Sequence, residues 1–399
     1  QMCIRDRFII DEFLSLSPIT QIICAVFVFS FIIQAYYYLR YYTGIWSLSS
    51  KINKGNHPYC KKKPPVSVII CAKNEADNLE RFLPSVLEQA YPEFEVIVVN
   101  DGSTDESSDL LEKLQKRYPN LYHTFLPMDA KYMSRKKMCL TVGIKAARFE
   151  HLLLIDADCQ PASKYWIANM VQNFNDKTDI VLGYGAHAFK NGFVNSMICY
   201  DIMFIAMQYM GFAIKGKPYM GVGRNLAYKK SLFFKNKGFA SHLNLVSGDD
   251  DLFIQEVANK HNTSVEFSER SISLSNREMS FRDFRLQKER HLSTSSKYTS
   301  ASKTRIGCEV LTRGLFYTTF IALLILFLSF QHFIFAGITA GLFLLRFIIQ
   351  AIVINKTCKY LQEKMYILSI PLFDIFLPLL TLYIISFGKI GVKEDSMWR

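Results

Sequence analysis

No CxxC pair, no zinc-finger spacing and no basic repeat occurs in the 399 residues, and the nine cysteines stand singly from Cys3 to Cys358. Scattered and odd in number, the thiols read as reduced, buried groups in a cytoplasmic setting and not as metal or redox sites. Acidic residues are in deficit: 47 Lys and Arg face 35 Asp and Glu, a net charge of +12. The cations flank apolar segments, as do Lys61, Lys62, Lys63, Lys303, Arg305 and Arg313. The excess is therefore read as facing an anionic membrane surface and not a nucleic acid. Internal repeats and low-complexity segments are absent. Gln1 to Arg7 contain no initiating methionine at their start and fit no element, so residues 1–12 are set apart as a disordered or non-native beginning.

Charge is missing altogether from Phe13 to Leu39. A helix needs about 20 apolar residues to cross the hydrocarbon core, so 13–40 is expected to span. Tyr36, Tyr37 and Tyr38 stand at its end, where interfacial aromatics belong. Residues 41–65, with Pro64 and Pro65, read as a basic linker. Beyond Arg313 the chain is apolar again, and 314–330, 333–354 and 366–387 can each span before a tail at 389–399. Lys356, Lys359 and Lys364 place the loop before the last span in the cytoplasm. Arg346 and Asp374 lie inside these runs, each eight positions from the cytoplasmic end of its helix (354 − 346 and 374 − 366). Intramembrane charges are usually paired or functional, so a salt bridge between these two is expected.

Between the apolar ends the pattern alternates. Val66–Cys71, Glu95–Asn100, His151–Ile155 and Ile180–Tyr184 are short apolar strands, with helical stretches from near Glu75, over 105–117 and over 136–148. This predicts an α/β catalytic domain over 66–275 with a doubly wound, mainly parallel sheet. Ligands in such sheets bind beyond the carboxyl ends of the strands.

The chemistry-bearing residues follow those ends. The first turn is Cys71-Ala72-Lys73-Asn74-Glu75, and the second Asn100-Asp101-Gly102-Ser103-Thr104-Asp105. Asp101 can accept from a base N–H or a ribose hydroxyl, or serve as a turn and helix cap beside Ser103 and Asp105. Asp156-Ala157-Asp158 follows HLLLI, and two carboxylates there need a positive partner. A hard divalent cation on a diphosphate suits them, because Mg²⁺ takes one or two carboxylates plus phosphate oxygens. Gly248-Asp249-Asp250-Asp251 places three acids side by side, whose repulsion raises at least one pKa and suits a general base. Gly221-Val222-Gly223-Arg224-Asn225 lacks the strand–turn–helix context of a dinucleotide fingerprint and reads as a tight loop near a sugar. Lys136 or Lys137, at a helix start, could reach a phosphate, although a solvated helix face is preferred. Gln287-Lys288-Glu289-Arg290-His291 falls in a basic, interfacial segment, 276–313.

In this order, over about Pro65 to His291, the set resembles the family 2 glycosyltransferases, inverting enzymes of the glycosyltransferase-A fold. The resemblance implies a nucleotide-binding turn at VNDGSTD, so Ala72, Glu75, Asp101, Asp156 and Lys137 are donor-binding candidates. It implies a DxD motif in which Asp156 meets the ribose and Asp158 the metal, Mg²⁺ or Mn²⁺, with Asp156 alongside. It makes Asp250 the base, with Asp249 and Asp251 in support. Gly223, Arg224, Asp251, Gln287, Arg290 and His291 are then candidates for acceptor or diphosphate contact. Gln287-x-x-Arg290-His291 is similar to the QxxRW motif of processive members, with histidine replacing the aromatic platform.

The implied reaction is metal-dependent transfer from a nucleotide-diphosphate sugar, UDP-linked by resemblance, to a glycolipid, polyprenyl phosphate or cell-surface polysaccharide. The implied setting is a bacterial inner membrane with a cytoplasmic catalytic domain. A processive polysaccharide synthase is the alternative. A nucleotidyltransferase would want a Gly-rich, basic loop after the first strand, and CAKNEADNL is not one. The acid clusters argue against a non-catalytic scaffold.

Overall fold

The computed structural model describes residues 11–60, 62–126, 134–245 and 247–387. The expected loose start and tail lie almost wholly outside them. The chain divides into two compact units. One comprises the described residues up to Tyr42, Ser300–Asn355 and Tyr366–Leu380; the other comprises chiefly Thr43–Thr299 and Lys356–Met365.

The second unit is built on a seven-stranded sheet. Its strands are β1 (Val66–Ala72), β2 (Phe94–Asn100), β3 (Leu121–Phe125), β4 (His151–Leu154), β6 (Ile180–Leu182), β8 (Leu226–Lys229) and β9 (Thr263–Val265), in the order β3-β2-β1-β4-β8-β6-β9. β1 is buried at every position, as a strand covered on both faces must be. The β3-β2-β1-β4 half is parallel, whereas β8 runs antiparallel to both β4 and β6. The sheet is thus mixed, with its parallel half where the sequence predicted it. A small second sheet joins β5 (Cys159–Pro161), β10 (Ser273–Ser275) and β7 (Gly185–His187). Register aligns Ala72 with Asn100 and Ile69 with Leu154. The turns after β1, β2 and β4 therefore open on one edge.

Four boundaries differ from expectation. The first apolar helix is Pro18–Tyr37, capped by Ser17, and continues through a π turn at Tyr38–Tyr42. The expected linker begins with a helix, Gly44–Asn53. Gly44 meets Gly211 so closely that a Cβ on it would stand 2.8 Å from the Gly211 Cα. The interfacial segment splits into a helix Phe281–Ser295 and the first 14 residues of a long helix, Ser300–Ser329. Finally, five described helices, not four, are long and apolar enough to cross a membrane. The additional one is Phe193–Ile214, 83% buried over its apolar window, against 28–33% for the other four. A helix that is apolar all round belongs inside protein or lipid, and strand pairing settles which. β4 precedes it, β8 follows it, and the two are hydrogen-bonded neighbours. Both its ends lie on one side of any bilayer.

In the other unit, Pro18–Tyr37 packs along Ser300–Ser329, with Phe27 stacked on Phe316 at 4.9 Å. Helices Phe333–Tyr360 and Ser369–Phe387 supply Arg346 and Asp374. Their expected salt bridge is present: Arg346 Nη2 lies 2.9 Å from Asp374 Oδ2. Tyr317 donates to the same carboxylate at 2.8 Å, and Arg313, itself paired with Glu309 at 2.6 Å, stands 3.4 Å from its other oxygen. Gln34 accepts from Arg346 at 3.0 Å. Two cations balance two anions, all almost fully buried. Removing one partner of a buried pair leaves an uncompensated charge and costs about 3–5 kcal/mol, whereas replacing both by apolar groups is often tolerated. Arg346→Leu should therefore lower the melting temperature in detergent sharply, and the double variant Arg346→Leu/Asp374→Leu should regain part of the loss.

Candidate active site

The edge after β1 and β2 is a pair of interlocked turns. Asn74, at φ 53, receives Thr104 N–H on its Oδ1 at 2.8 Å, and its own N–H donates to Ser103 Oγ at 2.9 Å. Asp105 caps the next helix, accepting from Ala76 N at 3.0 Å. Burial works against its charge, but bonds from Ser107 and backbone N–H groups outweigh this and lower its pKa. Asp105 thus does the capping and Ser103 closes the turn, while the Asp101 carboxylate does neither and holds Arg135. Asp101 is fully buried, its N–H bonded to the Ala72 carbonyl at 2.8 Å. Its Oδ1 holds Arg135, with Nη2 at 2.5 Å and Nε at 2.7 Å, while the buried Oδ2 has no hydrogen-bond partner among the described residues. Glu75 accepts from Asn78 at 2.5 Å. Burial raises its pKa, and the neighbouring Asp158 and Asp156 add to the effect.

After β4, Asp156 and Asp158 are both partly exposed. The positive partner of Asp156 is Lys136, at 3.3 Å. The same ammonium lies 3.3 Å from Asp249. Desolvation alone would lower the Lys136 pKa, but Asp156 and Asp249 reverse the sign and raise it. Asp158 accepts from Cys159 Sγ at 3.2 Å and from Ser275 Oγ at 3.4 Å. Among the described residues no cluster of three or more His, Cys, Asp or Glu side chains forms a closed metal cage. Asp156 and Asp158, whose charges are felt by Glu75, supply one or two carboxylates after β4, which fits a hard cation whose remaining ligands are phosphate and water.

The three adjacent acids have three different surroundings. Asp249 is buried, and although burial raises its pKa, Lys136 dominates and the net shift is downward. Asp250 caps the helix Asp251–Val257 through Asp251 N–H at 2.8 Å and accepts Gly223 N–H at 2.8 Å. Burial, then the charges of Asp249 and Asp251, raise its pKa to about 7. Asp251 points away. It is buried, and it accepts Thr294 Oγ1 at 2.6 Å and Tyr298 OH at 2.8 Å. Both bonds fall on Oδ2, and Oδ1 accepts the Leu252 N–H at 2.8 Å, so neither oxygen is left for the expected contact with acceptor or diphosphate.

The cleft is lined by Cys71, Lys136, Asp156, Gly223, Asp249 and Asp250, with Ile69, Leu140, Leu154, Ile155 and Leu226 beneath. Arg224 follows Gly223 and lies close to Tyr184, whose hydroxyl donates to Glu363 at 2.5 Å. On the helix Phe281–Ser295, Gln287 and Arg290 are partly exposed. His291 keeps solvent access, yet its surroundings desolvate it, and with Arg290, Lys288 and Arg224 nearby its pKa falls to about 3. It is neutral at physiological pH.

Lys137 departs from expectation. Its ammonium is buried and donates to the carbonyls of His242, Leu245 and Ser247 at 2.6, 2.8 and 2.7 Å. Burial lowers its pKa to about 8 against the pull of Asp249 and Asp251. It takes no place at the donor edge; Lys136 does. A helix turns about 100° per residue, so two successive lysines face different directions, and sequence alone gave no means of ranking them. Arg135 was not singled out at all.

Residues 67–234 match the model for glycosyl transferase family 2. The chain carries a family 2 glycosyltransferase domain. A poly-beta-1,6-N-acetyl-D-glucosamine synthase of Staphylococcus epidermidis is 33% identical over 93 residues, 23% of this chain and 21% of the relative. One of Staphylococcus aureus (strain MSSA476) is 31% identical over 119 residues, 27% of this chain and 28% of the relative. The chain thus spans little more than a quarter of these relatives at most. Among solved structures, the mannosyltransferase PcManGT from Pyrobaculum calidifontis, in complex with GDP-Man and Mn²⁺, is similar with a TM-score of 0.56. That likeness covers 93% of this chain and 99% of the other at 16% identity, and establishes the shared fold.

Proposed function

We propose that the chain is an inverting glycosyltransferase that moves a sugar from a nucleotide-diphosphate sugar to a membrane-associated acceptor. The observation that carries this reading is Asp250, a carboxyl group raised to about 7 on the wall of a cleft shared with Asp156 and Lys136. A general base works best with a pKa near the operating pH. Asp101 is the proposed acceptor for the nucleotide, which would have to uncover its buried Oδ2, and Asp158, assisted by Asp156, would hold Mg²⁺ or Mn²⁺. The metal, when bound, neutralises charge on the donor diphosphate.

The steps assigned to this chain are few. Asp250 takes the proton of the acceptor hydroxyl. The hydroxyl oxygen then forms a bond to the anomeric carbon as the bond from that carbon to the diphosphate oxygen breaks on the opposite face. Configuration inverts, and the electron pair leaves with the nucleoside diphosphate. Lys136, Arg224 and Arg290 supply positive charge at the cleft for that leaving group. The catalytic unit is placed in the cytoplasm, with Pro18–Tyr37, Ser300–Ser329, Phe333–Tyr360 and Ser369–Phe387 crossing a bacterial inner membrane. UDP is the proposed nucleotide, and a glycolipid, a polyprenyl phosphate or a cell-surface polysaccharide the acceptor. Similarity to poly-beta-1,6-N-acetyl-D-glucosamine synthases favours a second reading, processive synthesis.

Asp250→Asn should reduce transfer by about 10²–10⁴-fold, the usual contribution of a general base, while UDP binding persists. Only the ionised base accepts a proton. In the wild type, kcat/KM should therefore rise about tenfold per pH unit below 7 and level off above it; a flat profile from pH 5 to 8 would refute the assignment. Chelation with EDTA should abolish transfer and Mn²⁺ restore it, and Asp158→Asn should lose at least about a hundredfold, several kcal/mol of transition-state stabilisation. Neutral His291 offers a growing product less stacking surface than an aromatic platform. Mass spectrometry should find products of one or few added sugars, lengthened in His291→Trp; a long ladder from the wild type would favour the processive reading.

A further inference from the structure

The helix Arg135–Ala146 opens with three consecutive cations, and each has a different partner. Arg135 holds Asp101, Lys136 lies between Asp156 and Asp249, and Lys137 turns away from the cleft. All three donors of an ammonium group are available to Lys137, and three carbonyls receive them, those of His242, Leu245 and Ser247. These carbonyls belong to a stretch tied at its start, where the 3₁₀ turn Ala240–His242 packs His242 on Phe239 and sets it 3.4 Å from Glu256. Beyond that start, among the described residues, one backbone bond, Leu245 N–H to the His242 carbonyl, follows. Gly248 then adopts φ +100, and Asp249 and Asp250 come next. Three carbonyl dipoles converging on one buried point repel one another unless a cation sits there. The ammonium is therefore the group around which the stretch is shaped.

We propose that Lys137 is a positioning residue for the acid loop: by gathering the carbonyls of His242, Leu245 and Ser247 it sets where Asp249 and Asp250 stand against Lys136 and Gly223. The inference rests on the reading of Asp250 as base and extends it to a residue that touches no substrate. Lys137 and Lys136 share one helix start, so the same short piece of backbone carries both the ion pair to Asp249 and the anchor of the loop leading to it. Asp249, Asp250, Asp251 and Glu256 all favour the charged form of Lys137.

The test uses the full chain in detergent, with Lys137→Met, Lys137→Arg and Asp250→Asn beside the wild type. Three quantities are read: transfer rate, affinity for UDP, and hydrogen–deuterium exchange of the amides of 243–249. In Lys137→Met, kcat should fall at least about thirtyfold, UDP affinity should stay within about threefold, and exchange in 243–249 should quicken at least about tenfold. Lys137→Arg should recover most of the rate and protection. Unchanged rate and exchange in Lys137→Met would overturn the proposal, as would loss of UDP binding in step with rate, which would return Lys137 to the donor site. If Lys137→Met does not accumulate, exchange in Lys137→Gln decides by the same criterion. An active Asp250→Asn would sink the base assignment alone, since loop exchange reports on Lys137 independently of it.

Discussion

Asp156, Asp249 and Asp250 line one cleft, and their mutual repulsion sets the terms for everything around them. Lys136 stands between the first two, 3.3 Å from each, and makes the arrangement tolerable. Its effect is asymmetric: Asp249 is held ionised, whereas Asp250, without a direct cation, is left raised. One lysine thus separates two neighbouring carboxyl groups into a fixed charge and the proposed proton acceptor. The helix start at Arg135 brings that lysine to that point, and the β4–β8 pairing, with Leu154 opposite Leu226, sets the turn bearing Asp156 beside the loop bearing Gly223.

The parallel half of the sheet could be read from sequence because β1, β2 and β4 are buried on both faces, so each appears as an unbroken apolar run ending in polar residues. The strands β5, β7, β9 and β10 are three residues long and include Cys159, Gly185, Thr263 and Ser273. Such segments carry too little periodicity to separate from loop. Helix Phe193–Ile214 was missed because its apolar residues have no preferred face, and because it lies between weakly patterned segments.

The site was legible as a list of acids but not as a division of labour. Asp101 and Asp156 could be placed from the strand ends they follow, and Asp250 by the family resemblance of its acid run. The fate of Asp251 depended on Thr294 and Tyr298, more than 40 residues away, and no local pattern announces such a bond. The reverse held for Arg346 and Asp374. Charges inside apolar runs have few ways to be satisfied, and equal depth on antiparallel helices left essentially one. Scarcity of alternatives, more than strength of motif, made that contact readable.

The bonds from Asp251 to Thr294 and Tyr298 have a mechanical consequence. The acid loop and the end of the helix bearing Gln287, Arg290 and His291 move as one lever, with Asp251 as its rivet. Widening the cleft for a bulkier acceptor by sliding that helix would drag the proton acceptor out of register. On the proposed reading, a change in acceptor size would be absorbed by side chains on the helix, such as His291, while the helix itself stays put.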